Sequence, residues 1–344
     1  MRHFRVSLAV TVILLGLATW WGYYQLGWRG ALAGLWLAIV LGIMEVSLSF
    51  DNAVVNASVL KHWNPFWQKL FLTVGILIAV FGMRLLFPLL IVAVATGLGL
   101  VEVGAMALDD PGSYARHLNE HAAQVAAFGG AFLLLVFLNF VFDEQKTLHW
   151  LGRAEAKLVE FGSEGLAIVI VISALFGCVS MVPLSSRYAV LAAGVAGVAV
   201  YAAVRWIAVV LARGQSGVAH RAVVSGSLGG FLYLEVLDAS FSFDGVIGAF
   251  AVTNDVVVIM LGLAIGAVFV RSTTVYLVRE GTLDRFVFLK HGAHYAIGIL
   301  AVIMLASVEY HVPEWLPGLS GVLFIAVSLW SSVRYQRATQ ADGS

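Results

Sequence analysis

Two short segments carry carboxylates inside apolar sequence. Glu45-Val-Ser-Leu-Ser49-Phe50-Asp51-Asn52 and Asp238-Ala-Ser-Phe-Ser242-Phe243-Asp244-Gly245 share one pattern: an acid, three positions, then Ser-Phe-Asp. Glu235 lies one turn before the second copy. Carboxylates, hydroxyls and an amide are hard oxygen ligands, which suit Mn²⁺, Ca²⁺ or Mg²⁺ better than soft metals. Asp51 and Asp244 are the expected first ligands or proton carriers, with Glu45 and Asp238 as their partners and Asn52 as an amide ligand. Ser49 and Ser242 either join the ligands or bond back to helix carbonyls. Phe50 and Phe243 are expected to pack around them.

The surroundings make these acids costly. The chain has 344 residues, 61% apolar and 12% charged, against roughly 45–50% and 25% in soluble domains. Its mean hydropathy is +0.94. At roughly 20 residues per crossing, apolar runs predict an all-α polytopic membrane protein with ten spans. They are 6–24, 30–59, 70–104, 122–142, 165–182, 189–211, 223–250, 256–278, 292–308 and 317–333. The third span is too long for one straight crossing and holds Pro88, so a strong tilt, a kink or a partly re-entrant course is expected. The first resembles a signal peptide but ends in Trp20, Trp21, Tyr23 and Tyr24, an interfacial belt rather than a cleavage site.

Charge placement sets the expected orientation. With the N-terminus in the cytoplasm, fourteen of the 20 basic side chains fall on inside segments. Only Arg29, Arg116 and Arg187 fall outside, and Arg84, Arg205 and Arg271 fall within spans. The positive-inside rule then puts both termini in the cytoplasm of an inner or plasma membrane protein. A net charge of zero gives no reason to expect nucleic acid. The lone Cys178 excludes a disulfide framework and is expected to be a small buried residue.

The two motifs are five spans apart and therefore run in opposite directions. The spans that follow also match: Gly75 precedes Arg84 by the same interval as Gly262 precedes Arg271. This predicts a five-plus-five inverted repeat, residues 1–182 and 183–344, with a site near the midplane. A continuous helix would point Glu45 and Asp51 about 120° apart. Either Asp51 and Asp244 meet from opposing helices, or each helix breaks, at Ser49–Asn52 and at Ser242–Gly245. The alternative is structural: Arg84 and Arg271 neutralise Asp51, Asp244 or their neighbours. Six acids against three arginines within the spans leave some acids to be protonated, hydrated or cation-bound. Of the six, Glu102 is expected at the interface. Arg205 is expected to snorkel or pair locally.

Other candidates are weaker. His291 and His294 share a helix face, which makes a Zn site imaginable, but polar packing is the expectation. The segment with Asp143, Glu144, Lys146, His149 and Trp150 reads as a solvated hairpin. No phosphate loop, nucleophile elbow or His-Glu-x-x-His occurs, so no enzyme, resident cofactor or ATP-driven step is expected. An intramembrane aspartyl enzyme would need two acids sharing a proton beside a water cavity.

Both signature segments, the Gly75–Arg84 and Gly262–Arg271 pairs, the stretch from Phe286 to Gly298 and the turn from His311 to Pro317 resemble the TerC integral membrane family, named for tellurium resistance. The likeness touches most of residues 40–330, while the Phe128-Gly-Gly130 to Trp150 segment marks a divergent branch. The resemblance implies Mn²⁺ export or tellurite resistance, with Glu45, Asp51, Asp238 and Asp244 as the metal-handling acids. Asn52 matches the first signature, and Gly245 replaces the amide in the second. The expected partners are the lipid bilayer, a divalent cation, protons in exchange, and further copies of the chain. A non-transporting membrane scaffold or tellurite-resistance factor is one alternative, and an intramembrane aspartyl enzyme is another.

Overall fold

The computed structural model describes residues 4–75, 77–144, 146–212, 226–310, 312–313 and 315–342. Arg2, Arg213, Arg221, His311 and Glu314 lie outside the described residues. Among the described residues the chain is helical and has no strand, and eight helices are long and apolar enough to cross a membrane. The coarse expectation of an all-α membrane protein is met.

The helix α1 (Arg5–Leu48) is written as one element but folds back on itself. Leu26 and Gly27 leave helical geometry, and Gly27 has φ 63°, a left-handed value that favours glycine. A Cβ on Gly34 would lie 2.6 Å from the Ala18 carbonyl, and one on Gly22 would run into the carbonyl of Gly30. Residues 18 and 34 would stand about 24 Å apart on a straight helix. The two arms are therefore an antiparallel hairpin, matching the separate spans predicted at 6–24 and 30–59. Glycine and alanine line the seam because small side chains let backbones approach where lipid offers no hydrophobic drive.

The chain continues through α2 (Phe50–Leu60) and α3 (Pro65–Leu70), whose Asn64 cap accepts from the Trp67 amide at 3.0 Å. Two π-helical segments follow, Phe71–Gly75 and Ile78–Leu86, then α4 (Phe87–Thr96). Gly97, at φ 73°, ends α4. The predicted third span to residue 104 is thus too long: α5 (Leu100–Asp109) is a separate helix with exposed Glu102, whose Oε2 accepts from the Gly99 amide at 3.0 Å. The irregularity lies in the Ile78–Leu86 π segment that runs directly into Pro88, whose ring has no amide to bond back into the turn before it.

Next come α6 (Pro111–Glu120), α7 (Ala122–Val141), α8 (Arg153–Phe161), α9 (Glu164–Met181) and α10 (Leu184–Ala212). The last five are α11 (Leu228–Val252), α12 (Val256–Arg279), α13 (Thr282–Arg285), α14 (Leu289–Ser307) and α15 (Trp315–Asp342).

The chain divides into two compact units that interleave in sequence. The first comprises Met1–Ala53, Trp63–Ala122 and Leu234–Tyr276, and the second Val54–His62, Ala123–Tyr233 and Leu277–Ser344. In the first unit, α12 packs on the second arm of α1. A Cβ on Gly262 would meet Leu41 Cβ at 2.6 Å, and one on Gly42 would meet Ile265 Cγ2 at 3.0 Å. Ser7, at the start of the hairpin, bonds to Ser272 and to the Val268 carbonyl (3.0 Å), and Trp21 Nε1 donates to Asp255.

The second unit is built on α7, which is buried nearly all round. Gly130 lies against Leu305 of α14, and Gly194 of α10 lies against Leu175 of α9. The 142–161 segment is less solvated than predicted. Glu155 is fully buried, pairs with Lys146 and accepts from the Leu151 amide at 3.1 Å. His291 Nε2 donates to the Leu148 carbonyl at 2.9 Å, and the His294 ring stacks on Phe140 with centroids 3.9 Å apart. These histidines pack a loop against a helix. Arg205 bonds Asn139 (2.9 Å) and pairs with Glu164 (3.1 Å), a local pairing as expected. Cys178 is half-buried rather than buried.

Candidate functional site

All the motif acids, together with Arg84 and Arg271, fall in the first compact unit. The first motif breaks its helix. α1 ends at Leu48, Ser49 turns to φ −106°, ψ 13°, and α2 begins at Phe50. Ser, Asp and Asn compete with helical bonding and favour such ends. Asp51 is buried in the first turn of α2, where its Oδ1 accepts from the Asn52 amide at 2.9 Å. A carboxylate is stabilised there by the positive end of the helix.

Glu45 is only 1% exposed. Its Oε1 accepts from Ser49 Oγ at 2.8 Å and from Arg84 Nη2. Arg84, on the Ile78–Leu86 π segment, also donates through Nη1 to the Ala79 carbonyl at 2.7 Å. The other carboxylate oxygen, Oε2, has no donor and faces Gly245, where a Cβ would stand 2.6 Å away. The Glu45 stem lies against Gly266, which has no Cβ to obstruct it.

The second motif does not break. α11 runs unbroken through Ser242–Gly245, so of the two arrangements open to the sequence, a break in each copy is realised only in the first. Backbone groups freed inside an apolar segment have no water to bond to, and Gly245 lacks the side chain with which Asn52 can serve a cap. The side chains of Phe243 and Asp244 lie outside the described residues, so the predicted meeting of Asp51 with Asp244 does too.

The copies are nevertheless joined. Asn52 Nδ2 donates to Asp238 Oδ1. Glu235 is buried against Gly75, where a Cβ would stand 2.6 Å from its Oε1. Five acceptor oxygens on motif residues have no hydrogen-bond donor: Glu45 Oε2, Asn52 Oδ1, both oxygens of Glu235, and Ser242 Oγ. Buried acceptors are normally satisfied, and each left unmade costs roughly 1–3 kcal/mol. Arg271 lies half-buried on α12. Among the described residues, no three His, Cys, Asp or Glu side chains are gathered to hold a metal ion.

Three features escaped the sequence reading. The Gly262-x-x-x-Gly266 spacing was a legible signal for close helix contact. The link from Asn52 to Asp238 and the two π-helical segments, Phe71–Gly75 and Ile78–Leu86, had none.

A family model described as "Protein of unknown function (DUF475)" matches residues 50–339. No curated protein and no solved structure matches the chain.

Proposed function

We propose that this chain, which belongs to the DUF475 family, is an integral membrane transporter of a divalent metal cation, with Mn²⁺ export as the favoured activity. The observation that carries this reading is the set of five donorless acceptor oxygens on motif residues of one compact unit. A scaffold of ion pairs would fill such acceptors. A carrier leaves them for a cation, its residual water or protons.

Ten crossings are part of the proposal. They are the eight apolar helices, with the arms of α1 counted separately, and α11 added despite its three acids. Contacts that recur when the motif copies are exchanged support the inverted repeat. Asn52 reaches Asp238 while Gly245 faces Glu45, and Gly42 lies against Gly262 while Glu235 lies against Gly75. Carboxylate, amide and hydroxyl oxygens favour a hard cation. The choice of Mn²⁺ and the outward direction come from the resemblance to the TerC family. Protons are the proposed counter-ions, because a carboxylate can bind either a metal ion or a proton.

The buried Arg84–Glu45 pair favours a second reading, a non-transporting scaffold. Metal flux in proteoliposomes decides between them, across Mn²⁺, Ca²⁺, Mg²⁺ and Zn²⁺, for wild type, Asp51→Asn and Asp244→Asn. Flux of one hard cation, lost in both folded variants, establishes the carrier. No flux of any cation, with both variants folded and at least as stable, leaves the scaffold.

A further inference from the structure

We propose that Arg84 is a tethered competitor for the transported cation. Its guanidinium holds the place at Glu45 that the ion must take, and this contest sets the charge the site accepts. The proposal rests on the transporter reading.

Among the described residues, two pairs of a Lys or Arg with a carboxylate are similarly buried, and they differ in completeness. In the second unit Lys146 and Glu155 are 7% and 0% exposed. Glu155 uses both oxygens, one on Lys146 and one on the Leu151 amide. The Lys146 ammonium also reaches the carbonyls of Phe140 (3.2 Å) and Val141 (3.3 Å). Every strong group is occupied, as a structural pair requires.

Arg84 and Glu45 are 7% and 1% exposed, yet their pair is half-made. Glu45 crowds Ser49 and Arg84 onto Oε1 and leaves Oε2 bare. Arg84 turns one nitrogen to Glu45 and one to a backbone carbonyl, and its Nε has no acceptor. A guanidinium kept for stability would engage both carboxylate oxygens with its planar fork.

Two further features keep the pair incomplete. The residue facing Oε2 is Gly245, which offers no side-chain donor, whereas its counterpart Asn52 gives its amide to Asp238. Arg84 also rides on a nine-residue π segment. Such stretches are rare, carry poorer hydrogen bonds and occur at functional sites. Its second anchor, the Ala79 carbonyl, belongs to that same segment, so the guanidinium keeps a partner on leaving Glu45.

Charge arithmetic then gives selectivity. Arginine does not deprotonate in proteins, so it leaves Glu45 only when a stronger cation takes its place or when Glu45 itself takes a proton. A monovalent ion brings the same charge and must shed its own water. A divalent ion doubles the attraction to Glu45.

The test is Mn²⁺ titration of the full chain in lipid nanodiscs, beside Mn²⁺ flux in proteoliposomes, for wild type, Arg84→Gln and Arg84→Lys. Arg84→Gln is expected to bind Mn²⁺ about tenfold tighter or more, about 1.4 kcal/mol. Na⁺ and K⁺ should now compete with Mn²⁺, and free guanidinium in the buffer should restore weak binding. If Arg84→Gln does not fold, Arg84→Lys decides, because its shorter reach should also tighten Mn²⁺ binding. Affinity equal to or weaker than wild type, in a wild type that carries Mn²⁺, overturns the competitor role and leaves transport standing. A wild type that neither binds nor carries any of the four cations overturns the transporter reading, and this proposal with it.

Discussion

Asn52 gives its side-chain amide to Asp238, 186 positions further along the chain. The bond ties the first helix break to the unbroken second motif. Asn52→Ala removes the donor and is expected to cost about 1–3 kcal/mol, read as a lower midpoint in thermal unfolding. Asn52→Asp sets a second carboxylate against Asp238 and should lower the midpoint further. On the transporter reading, added Mn²⁺ should recover more of that loss in Asn52→Asp than in Asn52→Ala. Equal behaviour of the two variants with and without metal would argue that the bond is a spacer.

The glycines of the first unit divide sharply. Gly262 and Gly266 touch Leu41 and Glu45, so a methyl there has nowhere to go. Gly262→Ala and Gly266→Ala are expected to destabilise by about 1–3 kcal/mol through overpacking. Gly266→Ala should also displace Glu45 and reduce flux. In the second unit, Gly177 in α9 has nothing within 4 Å of its missing Cβ, and Gly177→Ala should stabilise slightly, by roughly 0.5–1 kcal/mol. Denaturation of the four proteins side by side in one detergent ranks them.

The Lys146–Glu155 pair has a defined pH window. Burial works to raise the Glu155 carboxyl, but the Lys146 hydrogen bond, the Leu151 amide and the charges of Lys146 and His291 outweigh it, so its folded value lies below 4.5. A depressed acid contributes stability above its unfolded value and loses it as pH falls through the folded one. Stability from this pair should therefore be complete at neutral pH and disappear below about pH 4.5. Lys146→Met strands a buried carboxylate, at about 3–5 kcal/mol near neutral pH, and the penalty should shrink as the medium is acidified through the acid's titration. A penalty independent of pH would assign the effect to packing.

The helices were legible because periodicity and length survive context. The α1 hairpin was read as two spans from the aromatic end of the first and the restart after Arg29. The break at Ser49 was read from Ser, Asp and Asn, which bond their own backbone. The same residue types misled in the second copy, where Ser242 and Asp244 sit in an unbroken α11. Local preference lost there to the cost of freeing backbone groups without water. Which carboxylate Arg84 meets was beyond the sequence. The π turns alter the angular position of every side chain along residues 78–86, and no residue pattern announces them. Lys146 was read as solvated because charge predicts exposure unless a partner is known, and its partner Glu155 lies nine positions further on, across an irregular loop.

Sequence distance also orders the assembly of the site. A chain grows from its N-terminus, so Arg84 emerges 39 positions after Glu45, whereas Asp238 emerges 186 after Asn52. The hairpin of α1 closes over only a few residues at Gly27. During synthesis, then, Glu45 can enter the bilayer with its arginine before the second motif exists, and the nascent chain is spared a lone buried charge. On the transporter reading, the residue that holds the finished site for its ion would earlier have chaperoned the acid into the membrane.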